Sequence, residues 1–322
     1  MKHLKFSLVV VLLLAILVPV GLAQVDPSGA GLTIGFSQVG SESAWRTAFS
    51  EAVIAEAEER GINLLFSDGQ QRQENQIAAL RSFIAQGVDA IILAPVVETG
   101  WDEVLQEAAD SEIPVVIVDR NVTADSSLYI TRVSSDFVHE GRLAAAWLVQ
   151  ATAGDCAIVE LQGTVGSSAA LDRQQGFNEV IALFPNMEIT LTQSGDFTRT
   201  GGKEVMESFL RTTDASEICA VWAHNDDMLI GAIQAMEEAG IASGVDILTI
   251  SVDAIPDIFL EMAEGRANAT VELSPNMGGP AFDAIVAHMN GEELPDWIPV
   301  AGGIYFPDTA MAEYEARTGG GE

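Results

Sequence analysis

Lysine is almost missing from this chain. Only Lys2, Lys5 and Lys203 occur in 322 residues, and 15 basic residues stand against 47 acidic ones, a formal charge of −32. A surface so short of positive charge repels phosphate backbones and anionic lipid, so neither nucleic acid nor a membrane surface is an expected partner. Cysteine is equally scarce. Cys156 and Cys219 are the whole complement, and no C-x-x-C pair suggests metal or dithiol redox chemistry. No G-x-S-x-G elbow, phosphate loop or metal-ligand cluster appears, which removes the usual signatures of several enzyme classes, and no cofactor is expected. After residue 30 no apolar stretch reaches the roughly 18 residues that a membrane span needs.

The apolar residues of the N-terminus follow Lys2 and Lys5 and end in Gly21 and Ala23, the pattern of a secretory signal peptide covering residues 1–23. A membrane anchor is the alternative, since the run is long for a signal; no cysteine stands at the cleavage point to carry lipid. Cleavage leaves 13 basic residues against 47 acidic ones, a formal charge of −34, on a chain expected in the periplasm or otherwise outside the cytoplasm. There a disulfide is permitted. Cys156 opens the apolar run "CAIVELQG" and Cys219 opens "CAVWAHND". If these are parallel neighbours, their starting ends lie side by side, where a disulfide forms without distortion. Two buried free thiols are the alternative.

One unit repeats along the rest. Short apolar strands at 32–40, 62–69, 89–96 and 113–121 alternate with helix-period stretches at 44–61, 73–87 and 100–111. In the first helix Ala48, Ala52 and Ala55 read as the inward stripe. After "YITRVSSD" (129–136) the alternation restarts and runs to residue 264, and "ANATVELSPNMGG" (267–279) and "VAGGIYFPDT" (300–309) read as return crossings. Apolar strands with short connections to amphipathic helices predict α/β architecture: two doubly wound parallel-sheet, Rossmann-like domains joined by a multi-crossing hinge. The expected boundaries are 31–133 plus 274–297 for the first domain and 134–273 plus 298–317 for the second.

In open parallel sheets, ligands bind beyond the carboxyl ends of the strands. Those positions here hold Gln38, Glu42, Trp45, Arg46, Asp119 and Arg120 in the first half, and Thr164, Arg173, Phe197, Asn225, Asp226 and Asp253 in the second. Planar Asp, Asn and Arg groups make paired hydrogen bonds to adjacent hydroxyls, and aromatic rings cover an apolar C–H face. That combination suits a sugar. Each residue has a plainer alternative: Asp119 and Arg120 as a mutual ion pair, Asn225 or, by preference, Asp226 as the N-cap of a helix over 228–239, Asp253 as a turn residue, Trp45 as core.

The stretches "GFSQVGSESAWR" (35–46), "DGQQRQENQIAALRSFIAQGVDAIILAPVVETGW" (68–101), "VELQGTVGSSAALDRQQGF" (159–177), "QSGDFTRTGGKEVMESF" (193–209), "AHNDDMLIGAIQAMEEAG" (223–240) and "ATVELSPNMGGPAFDA" (269–284) carry a resemblance. The chain resembles the periplasmic sugar-binding proteins of the ribose/galactose class that serve ABC importers, and within that class the galactofuranose binders. The resemblance implies a monosaccharide ligand captured by hinge closure, a membrane permease as partner and a monomeric chain. It assigns Asp119 and Arg120 to ring and hydroxyl contacts, Arg173, Asn225 and Asp253 to bonds from the second domain, Phe197 to ring stacking and Glu272 to the crossing segment. "SESAWR" departs from the aromatic pair of pyranose binders, so Glu42, Trp45 and Arg46 are expected to shape the pocket for a five-membered ring. The acidic surface and "VSSDFVHEG" (133–141) depart from the narrower pattern.

Three rivals remain at this stage. An enzyme would draw on His224, Asp226, Asp253 and Glu272 as acid/base groups, without any accompanying nucleophile or metal motif. A sugar-responsive repressor would need a helix-turn-helix and a basic face. A chemoreceptor module for ribose, galactopyranose, arabinose or inositol differs mainly in its downstream partner.

Overall fold

The computed structural model describes residues 25–319; the expected signal peptide lies outside the described residues. The first half runs β1 (Thr33–Gln38), α1 (Ala44–Arg60), β2 (Asn63–Asp68), α2 (Gln73–Gln86), β3 (Ala90–Leu93), α3 (Asp102–Asp110), β4 (Val115–Val118) and β5 (Thr131–Ser134). The second half runs α4 (Phe137–Thr152), β6 (Asp155–Gln162), α5 (Ser168–Ile181), β7 (Asn186–Ser194), α6 (Arg199–Thr212), β8 (Ala220–Ala223), α7 (Asp226–Glu238), β9 (Leu248–Asp253), α8 (Pro256–Ala263) and β10 (Ala269–Glu272). Then come α9 (Gly278–Met289), β11 (Trp297–Pro299), β12 (Ile304–Tyr305) and α10 (Ala310–Thr318).

Two six-stranded sheets result, ordered β11-β5-β4-β3-β1-β2 and β12-β10-β9-β8-β6-β7. All pairings are parallel except β10 with β12. This is the α/β architecture of two doubly wound, Rossmann-like sheets. The central strands β3 and β4 are buried at every residue, as expected when helices cover both faces of a parallel sheet. The chain passes between the sheets after β5, β10 and β11. Pro299 pairs with Ser134 in the first sheet, so the first sheet extends slightly past the boundaries expected at 133 and 297.

Local chemistry sets the helix ends. Ser43 caps α1 by accepting the Arg46 N–H, and Gly61 ends it in the left-handed conformation that glycine adopts without a Cβ penalty. The inward stripe of α1 differs from the one read in the sequence. Trp45, Phe49, Val53 and Ala57 are buried while Ala48 and Ala52 are half-buried and Ala55 is exposed, because the large side chains of Trp45, Phe49 and Val53 point beneath the helix and rotate the stripe onto their side. Cys156, in β6, and Cys219, just before β8, are joined as a disulfide with Cα atoms 5.3 Å apart. Among the described residues no helix is long and apolar enough to cross a membrane.

Candidate ligand-binding site

In each sheet the strand order reverses next to the strand that starts it, between β1 and β3 in one and between β6 and β8 in the other. Loops leaving neighbouring strands diverge at such a point and open a crevice at the carboxyl rim. The two crevices face each other, and the cavity between them has a volume of about 20 Å³, room for roughly one water, so the rims are drawn closely together here.

Glu42, Trp45, Arg46, Asp119 and Arg120 form the wall from the first sheet. Arg46 is the hub: its Nε donates to Glu42 Oε1 at 3.2 Å and its Nη1 lies 2.7 Å from Asp119 Oδ2. Asp119 and Arg120 are 3.9 Å apart at their nearest charged atoms, so the short ion pair at this strand tip belongs to Asp119 and Arg46 instead. Arg120 donates from Nη1 to the Val96 carbonyl at 2.9 Å, while its Nε has no partner. Burial, with Arg46 nearby, brings the Arg120 pKa down to about 10.

Arg173, Phe197, Asn225 and Asp253 form the opposite wall. Arg173 projects from α5. A Cβ on Gly141 of α4 would fall 2.1 Å from the Arg173 carbonyl oxygen, so a glycine there allows the close approach that brings Glu140 within 2.8 Å of Arg173 Nε. Arg173 Nη1 donates to the His224 carbonyl at 2.6 Å, and Nη2 stands 3.7 Å from Asp253 Oδ1. Burial pushes the Asp253 carboxyl well above the usual carboxylate range, against the opposing pull of Arg173. The Phe197 ring lies 5.1 Å from the Arg120 guanidinium and 5.9 Å from that of Arg173, within cation–π range. Asn225 both caps α7, accepting from Met228 N, and donates to the Phe197 carbonyl. It is thus the N-cap in place of Asp226, which falls at the first helical position because α7 starts two residues earlier than its sequence pattern suggests.

Three lining residues sit in unusual backbone. Asp119, Phe197 and Asp253 have φ values of 60°, 60° and 123°. Non-glycine residues with positive φ are uncommon and cluster at functional sites.

Two expected site residues lie elsewhere. Gln38 is fully buried behind the wall, accepting from Arg46 Nη1 at 3.3 Å and donating to Ser50. It orients Arg46 and does not line the cavity. The Glu272 carboxylate turns away to accept from Tyr305 Oη and Arg317 Nη2, each at 3.0 Å, and lines neighbouring clefts. It is drawn there because β12 pairs antiparallel with β10 and α10 delivers Arg317. His224, weighed as an acid/base group, is fully buried outside the cavity, 3.1 Å from Glu160, and burial lowers its pKa.

Sequence reading missed several contributors. Ser43, Ala169 and Leu273 also line the cavity. Asp227 Oδ2 accepts the Ala44 N–H across the gap at 2.7 Å, Ser168 Oγ accepts from Asn121 N at 2.8 Å, and Glu98 N donates to the Gly166 carbonyl at 3.0 Å. Nothing local in the sequence told which helix start would bond the other sheet. The two rims are therefore latched together in this structure, and Glu42 Oε2, Arg120 Nε and Arg173 Nη2 remain buried without hydrogen-bond partners.

Comparisons with known proteins agree with this geometry. The periplasmic binding protein domain model matches residues 34–293. The galactofuranose-binding protein YtfQ of Escherichia coli strain K12 is 56% identical over 292 residues, 89% of this chain and 92% of that protein. Among solved structures, the periplasmic binding protein component of the arabinose ABC transporter from Shewanella sp. ANA-3, bound to α- and β-L-arabinofuranose, is 60% identical with a TM-score of 0.88, covering 89% of this chain and 96% of that one. A galactofuranose binding protein is 55% identical, also with a TM-score of 0.88, over 89% of this chain and 99% of that one.

Proposed function

The chain belongs to the periplasmic binding protein family, and on that premise we propose that it captures one monosaccharide in its furanose form between the two rims and delivers it to an ABC importer. Galactofuranose is the first candidate. L-Arabinofuranose is the second, favoured by the 60% identity to a protein solved with that sugar. The observation that carries the reading is the convergence of Glu42 Oε2, Arg120 Nε and Arg173 Nη2, all buried and unpartnered, on one small cavity that also presents the Phe197 ring. Each of these groups is partnered through its other atoms, and leaving a buried polar atom without a hydrogen bond costs about 1–3 kcal/mol, so hydroxyls that satisfy several at once bind with a gain.

In this reading Asp119 and Arg120 bond ring hydroxyls from one side. Arg173, Asn225 and Asp253 bond from the other, and Phe197 covers the apolar ring face. Glu42, Trp45 and Arg46 set the width of the cavity. The lining carries three arginines and three carboxylates, a balance that suits a neutral ligand rather than a sugar phosphate or sugar acid. Because the contacts come from both sheets, ligand energy favours the closed over the open arrangement. Affinity at or below micromolar, on the order of −8 kcal/mol or stronger, is the expected scale.

The chain acts as an exported, monomeric binder, and the sugar leaves it unchanged. Native mass spectrometry of the purified protein incubated with galactose or arabinose tests this: one intact sugar mass per chain, recovered without chemical change, is expected. A turned-over product, or no retained sugar, rejects it.

A further inference from the structure

Asp226, the residue that the helix start did not use as a cap, points away from the cavity. It is fully buried and is not part of the cavity lining. Its Oδ1 accepts from Ser251 Oγ at 2.5 Å and Thr270 Oγ1 at 2.8 Å, and its Oδ2 accepts from Ile255 N at 2.9 Å. Thr270 Oγ1 in turn accepts from Ala254 N at 3.3 Å. These bonds converge on a turn where two consecutive non-glycine residues leave β9 with strained backbone, Asp253 at φ 123° and Ala254 at φ 58°. Such conformations cost about 1–3 kcal/mol each and persist only where the surroundings over-determine them.

We propose that Asp226 is a positioning residue for ligand binding: with Thr270 it pins the turn from Asp253 to Ile255 so that the Asp253 carboxylate faces the cavity. The inference rests on the reading of Asp253 as a ligand contact. Two buried bonds, from Ile255 N to Asp226 and from Ala254 N to Thr270, hold the turn, and a third ties Thr270 to Asp226. Burial holds Asp226 up at about 7, so an amide is a fair stand-in for it: asparagine keeps the acceptor for Ile255 N–H and presents an N–H₂ to the two hydroxyls. Alanine keeps neither.

The test is a double-mutant cycle read by calorimetric titration with the sugar that the wild-type protein binds. Asp226→Ala is expected to weaken binding about tenfold or more, Asp226→Asn to restore it to within about threefold, and Asp226→Ala added to Asp253→Ala to cost little further, since both act through the Asp253 side chain. Thr270→Val, a milder change, is expected to weaken binding in the same direction and keeps the test open if Asp226→Ala does not fold. If Asp253→Ala binds normally, the contact reading falls and this inference with it. If Asp253→Ala is weakened while Asp226→Ala and Thr270→Val bind like wild type, the inference alone falls. Full additivity in the cycle also overturns it, as the mark of general destabilisation.

Discussion

Replacing Arg120 with alanine separates binding from folding more cleanly than any other change at this site. The guanidinium is buried, with its Nε unpartnered and the Phe197 ring of the opposite wall 5.1 Å away. Losing a charge-assisted hydrogen bond to a sugar hydroxyl is worth roughly 1.5–3 kcal/mol. Losing the desolvated cation–π contact that bridges the gap adds about 1–2 kcal/mol. A combined loss of roughly 3–4 kcal/mol corresponds to a Kd raised by two to three decades. The fold itself has less at stake. Arg46 still pairs with both Glu42 and Asp119, and the main group left wanting is the Val96 carbonyl that Arg120 Nη1 serves. One lost neutral acceptor costs about 1 kcal/mol, or 2–4 °C of Tm in a chain of this size. Tryptophan emission, to which Trp45 in the cavity wall contributes along with four other tryptophans, gives the Kd, and a melt without sugar gives the Tm. Arg120→Lys keeps the charge without the planar fork and is expected to recover only part of the affinity. Arg120→Ala binding within threefold of wild type, or a Tm drop beyond 10 °C, would refute the assignment.

Arg173→Met is expected to lose binding and also to destabilise the fold by about 3–5 kcal/mol, seen as a lower urea midpoint, because it strands Glu140 and Asp253 as buried carboxylates. Gly163→Ala would place its Cβ 1.9 Å from Phe197 Cζ. It should displace the ring and raise the Kd about tenfold in the same emission assay, consistent with loss of roughly 1–1.5 kcal/mol of ring contact. Reducing or replacing the Cys156–Cys219 disulfide, which spans 63 residues, should cost about 4 kcal/mol of stability in the chain-entropy account, read as a lower Tm in reductant, with the Kd at 25 °C unchanged. Burial holds Asp226 at about 7 against roughly 3.9 in an unfolded chain, so across that window the folded form keeps a proton that the unfolded form releases. Stability contributed by this group is therefore full below the lower value and falls as pH rises towards 7. Urea midpoints measured from pH 4.5 to 7.5 should fall less steeply for Asp226→Asn than for wild type.

The central elements were legible because their strands are short apolar runs buried along their length. The run from Val115 to Val118 reads as a strand in the sequence and is β4 in the structure. The strand-tip rule then found Asp119, Arg120, Arg173, Phe197, Asn225 and Asp253, which the structure gathers around one cavity. What escaped was the information held in other parts of the fold. Arg317 claims Glu272 from 45 residues away, and Arg46 claims Gln38 through a turn of helix, so both drop out of the lining. Nothing in the letters around Asp119, Phe197 or Asp253 announces a positive φ, and the Asp226 bond to the turn after Asp253 comes from another part of the chain. The latch of Asp227 on Ala44 spans 183 residues and two sheets, beyond any local pattern.

Ring form is the point on which the whole account turns. Calorimetric titration of the purified chain with galactose, whose solutions contain furanose, alongside methyl galactopyranoside, which is locked in the six-membered ring, tests it most directly. The account predicts one site per chain with binding heat from galactose and none from the locked pyranoside. Equal binding of the pyranoside, or no heat from galactose and arabinose alike, would contradict it.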